Sequence, residues 1–141
     1  SIVLVGPVGL GDPGTDVSGL AAKANVHLLG HREPRELPAL LRGADAALIP
    51  YRLSRLTASI FPMKVYEYLA AGLPIVSTPL PSLAGVEEIS FAKSAAETTI
   101  ALDELLTSDN EDKRRARSRL AAGHSWPARI DEIEQALMET R

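Results

Sequence analysis

A chain of 141 residues is the length of one domain, and 45% hydrophobic content is enough for a core that needs no disulfide or structural metal. A net charge of −3 argues against nucleic-acid binding as the main function. The lack of cysteine excludes disulfides, thiolate metal sites and a cysteine nucleophile, and fits a reducing, cytoplasmic setting.

Ile2 to Val5 is predicted to be a short buried strand ending at Gly6. Because the chain opens on this strand with Ser1 rather than Met, it is expected to be a piece of a longer protein. The loop Gly6–Gly14 is rich in Gly and Pro, but neither G-x-G-x-x-G nor a Walker sequence can be placed on it. It reads as a surface connection. Asp16 to Ala24 is predicted as a short helix capped by Asp16 or Ser18. Val26 to Leu29 is the second strand, with His27 at the core edge, and it ends at Gly30-His31-Arg32. Glu33 to Gly43 is a helix with Leu37, Leu40 and Leu41 on one face. Ala46 to Ile49 is the third strand, ending at Pro50-Tyr51-Arg52.

A polar loop then runs through Ser59. It carries Arg52, Arg55 and several hydroxyls but no acid, and reads either as an ordinary polar loop or as fixed positive charge facing an anion. Phe61 to Leu80 is a helix, a stop and a buried strand. Pro62 suits the first helical turn, and Val65, Tyr66, Leu69 and Ala70 form an apolar stripe. Gly72 followed by Pro74 ends the helix. Leu73 to Val76 is a continuous apolar run, as expected of a strand covered on both faces. Glu67 sits one turn from Lys64; an exposed i,i+3 pair and a functional carboxylate are both open readings. Lys64 on the first turn opposes the helix dipole, which a bound phosphate would relieve.

A fifth strand is predicted within Val86 to Phe91. Thr98 to Leu106 lies on a helix burying Ile100 and Leu105. Glu111 to Ala122 is a charged helix whose Lys113, Arg114, Arg115, Arg117 and Arg119 read as a solvated face. The last helix, Pro127 to Met138, carries Trp126, Ile130, Ile133 and Leu137 at i, i+4, i+7 and i+11, a stripe that must pack on something.

Short strands alternating with helices predict a Rossmann-like α/β fold, three-layered, with a mostly parallel sheet. Its ligands are expected outside the C-terminal strand ends, where Gly6–Gly14, Gly30–Glu33, Pro50–Ser59 and Ser77–Leu80 lie. His27 and His31 form an H-x3-H pair without the further ligands a metal needs. His124 is expected to be structural.

The run P-M-K-V-Y-E-Y-L-A-A-G-L-P-I-V-S-T-P-L, residues 62–80, resembles the donor-nucleotide segment of group 1 glycosyltransferases of the GT-B fold. It is closest to the branch reading P-x-K-x-Y-E-Y-L-A-A-G-x-P. The likeness spans the chain from first strand to last helix, is densest from Val26 to Leu80, and includes Ser125-Trp126 before the last helix.

The resemblance implies one lobe of a GT-B fold: a single C-terminal donor-binding domain over 1–141, lacking its first strand and helix and the N-terminal acceptor lobe. It implies transfer of a hexose from a UDP- or GDP-sugar to a glycan, lipid-linked or small-molecule acceptor, usually with retention, as in cell-envelope polysaccharide synthesis. No cofactor and no metal are implied. Glu67 would hold the ribose, and Lys64 and Arg52 would neutralise the diphosphate. Tyr51, Thr57, Ser59, Pro62 and Met63 would line the donor site, and Gly30, His31 and Arg32 would touch the base. Ser59 stands where most relatives carry a second Glu. It can hydrogen-bond a sugar hydroxyl but supplies no negative charge.

Without its other lobe the fragment is expected to be inactive and to dimerise or exchange an element with a neighbour. Peripheral membrane association of the longer protein is compatible with such a role. Two alternatives are a sugar-nucleotide epimerase of the same fold, for which no acid/base carboxylate pair is evident, and a non-catalytic Rossmann-like interaction domain.

Overall fold

Among the described residues, four of the five strands form in apolar runs with a glycine or proline at or beside one end, and helices fill the intervals. The computed structural model describes residues 1–10 and 14–139, so the middle of the Gly6–Gly14 loop lies outside the described residues. The backbone divides into two compact units, Ser1–Leu40 and Leu41–Arg141.

In the first unit β1 (Ile2–Val5) pairs in parallel with β2 (Val26–Gly30), from Ile2 opposite Val26 to Leu4 opposite Leu28. β1 is not the buried strand that its composition predicts. Its four residues are 39–52% exposed, because among the described residues β2 is the one strand that pairs with it. Val26 is buried, whereas His27 is exposed rather than at the edge of a core.

The predicted helix 16–24 shrinks to α1 (Ser18–Ala21), preceded by Val17 and without a side-chain cap. Asp16 instead folds back on the turn, accepting from the Ser18 N–H at 2.8 Å and the Ser18 hydroxyl at 3.0 Å. Those donors hold its carboxyl below the usual carboxylate range. The helix predicted over 33–43 begins as a 3₁₀ turn, Pro34–Glu36, and continues as α2 (Leu37–Arg42). Glu33 and Glu36 close a reciprocal capping box over the 3₁₀ start.

In the second unit β3 (Ala47–Ile49), β4 (Ile75–Ser77) and β5 (Ile89–Phe91) form a parallel sheet with β4 at its centre. β4 is buried along its whole length. Both sheets are parallel and flanked by helices, the Rossmann-like α/β class that the alternation predicts. The polar loop after β3 hides a helical turn, α3 (Arg55–Ala58), closed by Ser54 and Thr57. α4 (Lys64–Ala70) follows. Its buried residues are Val65 and Leu69, with Tyr66 half-buried, whereas Ala70 is exposed. α5 (Ala95–Ser108) packs against β4 and β5. Its inner face is Thr98, Ala101, Leu102 and Leu105, all half-buried. Ile100 lies off that face and is 59% exposed, contrary to the expected burial.

α6 (Glu111–Ala122) packs on α4, and here the expectation of a wholly solvated basic face fails. Arg117 is only 2% exposed. Its Nε donates to the Gly72 carbonyl at 2.9 Å, one Nη bonds Asp109, and the other faces Glu88 at 3.7 Å. Arg114 donates to the Ala44 carbonyl at 3.2 Å. Gly72, which ends α4 in the left-handed region at φ 75°, lies beneath α6. A Cβ there would stand 2.9 Å from the Arg114 carbonyl oxygen and 3.1 Å from its Cβ. α7 (Trp126–Glu139) turns its apolar stripe outward: Trp126 is 80% exposed, and Ile130, Ile133 and Leu137 are exposed with it. No helix among the described residues is long and apolar enough to cross a membrane.

The α4–α6 junction yields a test. Gly72→Ala combines a left-handed backbone with a steric clash and is expected to destabilise the fold by about 2–4 kcal/mol. Arg117→Met leaves Asp109 without its cation in a nearly closed site and is expected to cost about 3–5 kcal/mol. Urea midpoints should fall with unchanged slopes; wild-type midpoints in either variant would contradict this account.

Candidate functional site

β3 and β4 run side by side and stop together, and hydroxyls knit their ends. The Ser77 Oγ donates to the Thr78 carbonyl at 2.8 Å and lies 3.3 Å from that of Ile49, while Thr78 donates its backbone N–H to Ile49 at 3.2 Å. Beyond the end of β3 opens a cleft of ≈ 290 Å³, walled by Leu48, Ile49, Pro50, Tyr51, Pro62, Lys64 and Tyr68. It lies at the carboxyl end of a parallel strand, where sheets of this kind take their ligands. The walls are apolar and aromatic, with one ammonium among them.

Three predicted site residues, Tyr51, Pro62 and Lys64, therefore meet in one cleft. Pro62 is buried and its carbonyl accepts from the Val65 N–H, so the helical turn begins there. Met63 precedes α4 and is exposed. Glu67 is joined to the cleft through Lys64: Nζ donates to Glu67 Oε2 at 2.8 Å, both side chains about half exposed. Glu67 also lines a more open groove of ≈ 480 Å³ beside α6, with Tyr66, Ser118, His124 and Ser125. His124 is part of the framework, as predicted. Its ring stacks on Tyr66 at 4.6 Å, Tyr66 stacks on Phe61 at 5.5 Å, and its Nδ1 lies 3.2 Å from the Arg129 guanidinium.

Arg52, Thr57 and Ser59 lie on the segment between β3 and α4. Thr57 is already engaged: its hydroxyl donates to the Arg52 carbonyl at 2.7 Å and accepts from the Ser54 N–H at 2.8 Å. This shapes the loop that carries Arg52, whose side chain is exposed. Ser59 is exposed and reaches the Arg55 carbonyl at 3.5 Å. Ser82 ties the same segment to the turn after β4 through the Ile60 carbonyl at 2.7 Å. Gly30, His31 and Arg32 end β2 in the first unit. Gly30 is left-handed at φ 67°, His31 faces Glu33 at 3.3 Å, and Arg32 donates to the His31 carbonyl at 2.9 Å. Among the described residues no group of three His, Asp or Glu side chains is placed to hold a metal ion.

Tyr68 is the wall residue that sequence reasoning passed over. It stands four residues after Lys64, on the same face of α4, a spacing that says nothing by itself of a cleft. Burial pushes its phenol above the ordinary value of 10.0; the Lys64 charge opposes that rise, and Glu67 and Tyr51 add to it.

A family described as glycosyl transferase-like matches residues 2–135, and the chain belongs to that family. It is also 38% identical over 64 residues to a Bacillus subtilis (strain 168) protein named "Putative teichuronic acid biosynthesis glycosyltransferase TuaH". That match spans 45% of this chain and 16% of the relative. No solved structure matches the chain.

The Tyr68 environment sets an alkaline prediction. A phenol whose folded pKa is raised contributes stability that is complete below the unfolded value and is lost as pH climbs through the folded one. Stability should thus fall as pH rises above about 10, the ordinary tyrosine value. Tyr68→Phe should flatten that fall, as urea midpoints at pH 9 and 11 would reveal. An unchanged pH dependence would count against a buried phenol.

Proposed function

We propose that the chain is the donor-binding domain of a glycosyltransferase that moves a hexose from a nucleoside diphosphate sugar, UDP- or GDP-linked, to a glycan, lipid-linked or small-molecule acceptor, with retention. The observation that carries this reading is the cleft at the end of β3, where Tyr51, Pro62 and Lys64 converge and from which Lys64 reaches Glu67, in a chain of the glycosyl transferase-like family. In this reading Lys64 and Arg52 neutralise the diphosphate and stabilise it as the leaving group, so the donor needs no metal. Glu67 accepts from the ribose diol. Tyr51 and Met63 flank the donor, and Ser59 and Thr57 shape its loop. Acceptor binding and turnover fall to a second, N-terminal lobe, and the whole enzyme works in the cytoplasm, where it would serve cell-envelope polysaccharide synthesis.

The test is a thermal-shift titration with UDP, GDP, ADP and TDP, repeated on Glu67→Ala. Ligand at about 100 times its dissociation constant adds about 2.7 kcal/mol. For a domain of this size that is roughly 5–10 °C in melting temperature. One diphosphate is expected to produce the shift, and Glu67→Ala to remove most of it. No shift with any of the four would reject the donor-binding reading for this chain.

A further inference from the structure

The two side chains assigned to the donor are committed to each other. Lys64 Nζ holds Glu67 Oε2 at 2.8 Å, with the side chains 53% and 44% exposed. They open onto different spaces: Lys64 onto the cleft beyond β3, Glu67 onto the groove beside α6. An anion entering the cleft therefore meets an ammonium whose charge is already answered. A sugar diol approaching the groove meets a carboxylate already accepting from a cation. Each residue masks the other.

Resting on the donor-binding reading above, we propose that binding proceeds by exchange of partners: the diphosphate takes Lys64 from Glu67, and the released carboxylate accepts from the ribose diol. The exchange is easy because the pair it breaks is exposed, and such pairs hold weakly in water. A diphosphate offers several anionic oxygens in place of one carboxylate oxygen. The two residues sit one turn apart on α4, so a modest rotation of the lysine stem is enough to switch partner. The consequence is coupling between the two halves of one ligand. Phosphate at Lys64 raises the affinity of Glu67 for the diol, and by linkage the diol raises the affinity of Lys64 for phosphate by the same factor. A free nucleoside or free diphosphate meets the masked site, and the intact donor unmasks it.

The test titrates the chain with half-ligands, followed by backbone amide NMR, after circular dichroism has shown each variant folded. Inorganic diphosphate is expected to bind Glu67→Gln two- to fivefold more tightly than wild type, equivalent to about 0.4–1 kcal/mol. Uridine and guanosine are the nucleoside probes. One of them is expected to bind Lys64→Met two- to fivefold more tightly than wild type. The second arm decides, because a neutral nucleoside gains nothing from a mere change of net charge. Unchanged or weaker nucleoside binding in Lys64→Met would overturn the exchange. Should any of the four nucleoside diphosphates still raise the melting temperature, the donor-binding reading stands and only the exchange falls; should none do so, both fall together.

Discussion

The second unit turns on the contact between Gly72 and α6. A helix that must stop, reverse and feed a buried strand within four residues needs a left-handed residue at its end, and Gly72 at φ 75° supplies it. The same missing side chain lets the α6 backbone come within reach of the turn, so the Gly72 carbonyl can accept from Arg117 at 2.9 Å. Arg117 then gathers Asp109 and Glu88, which come from the ends of other elements. A guanidinium suits this position because its planar fork presents several donors in fixed directions, and a lysine would leave some of the acceptors unmet. One backbone constraint thus orients α4, the helix that carries Lys64 and Glu67.

That orientation matters because the candidate site is assembled from two separate ends. The end of β3 contributes Ile49, Pro50 and Tyr51, and Pro62 with Lys64 and Tyr68 of α4 contributes the other side. Val65 and Leu69, both fully buried, hold one face of α4 in the core, so Lys64 and Glu67 face outward while Tyr66 and Tyr68 stay half-buried. The core sets the helix rotation, and the rotation sets which space each charge can reach. The Phe61–Tyr66–His124 stack braces the same helix from the side of the Glu67 groove. The site is therefore only as well placed as the packing behind it.

Much of this was legible beforehand. Apolar runs mark most of the strands, and Gly72 with Pro74 marks the α4 stop. Lys64, Glu67 and Pro62 belong to a motif with fixed offsets, and Tyr51 lies in the loop before it. Other features were not legible. Arg117 sits in a run of five basic residues, and its neighbours Arg115 and Arg119 are exposed as such runs usually are. Ile100 looked like a core residue because it is apolar, but the face of α5 turned inward is defined by Ala101, Leu102 and Leu105. Thr57 looked like a free donor, whereas its hydroxyl is engaged by backbone groups within its own loop.

What the sequence determined by itself is what short-range chemistry controls: the order of strands and helices, their parallel α/β class, the α4 stop and the charge pair one turn apart. Periodicity, caps and φ preferences act within a few residues and so leave a local signature. The tertiary structure alone decided that Arg117 is buried and bonded 45 residues back to Gly72. It also decided that Tyr68 walls a cleft with Tyr51, and that Lys64 and Glu67 open onto different spaces. Those outcomes depend on which backbones pass within contact distance, and no local pattern records that.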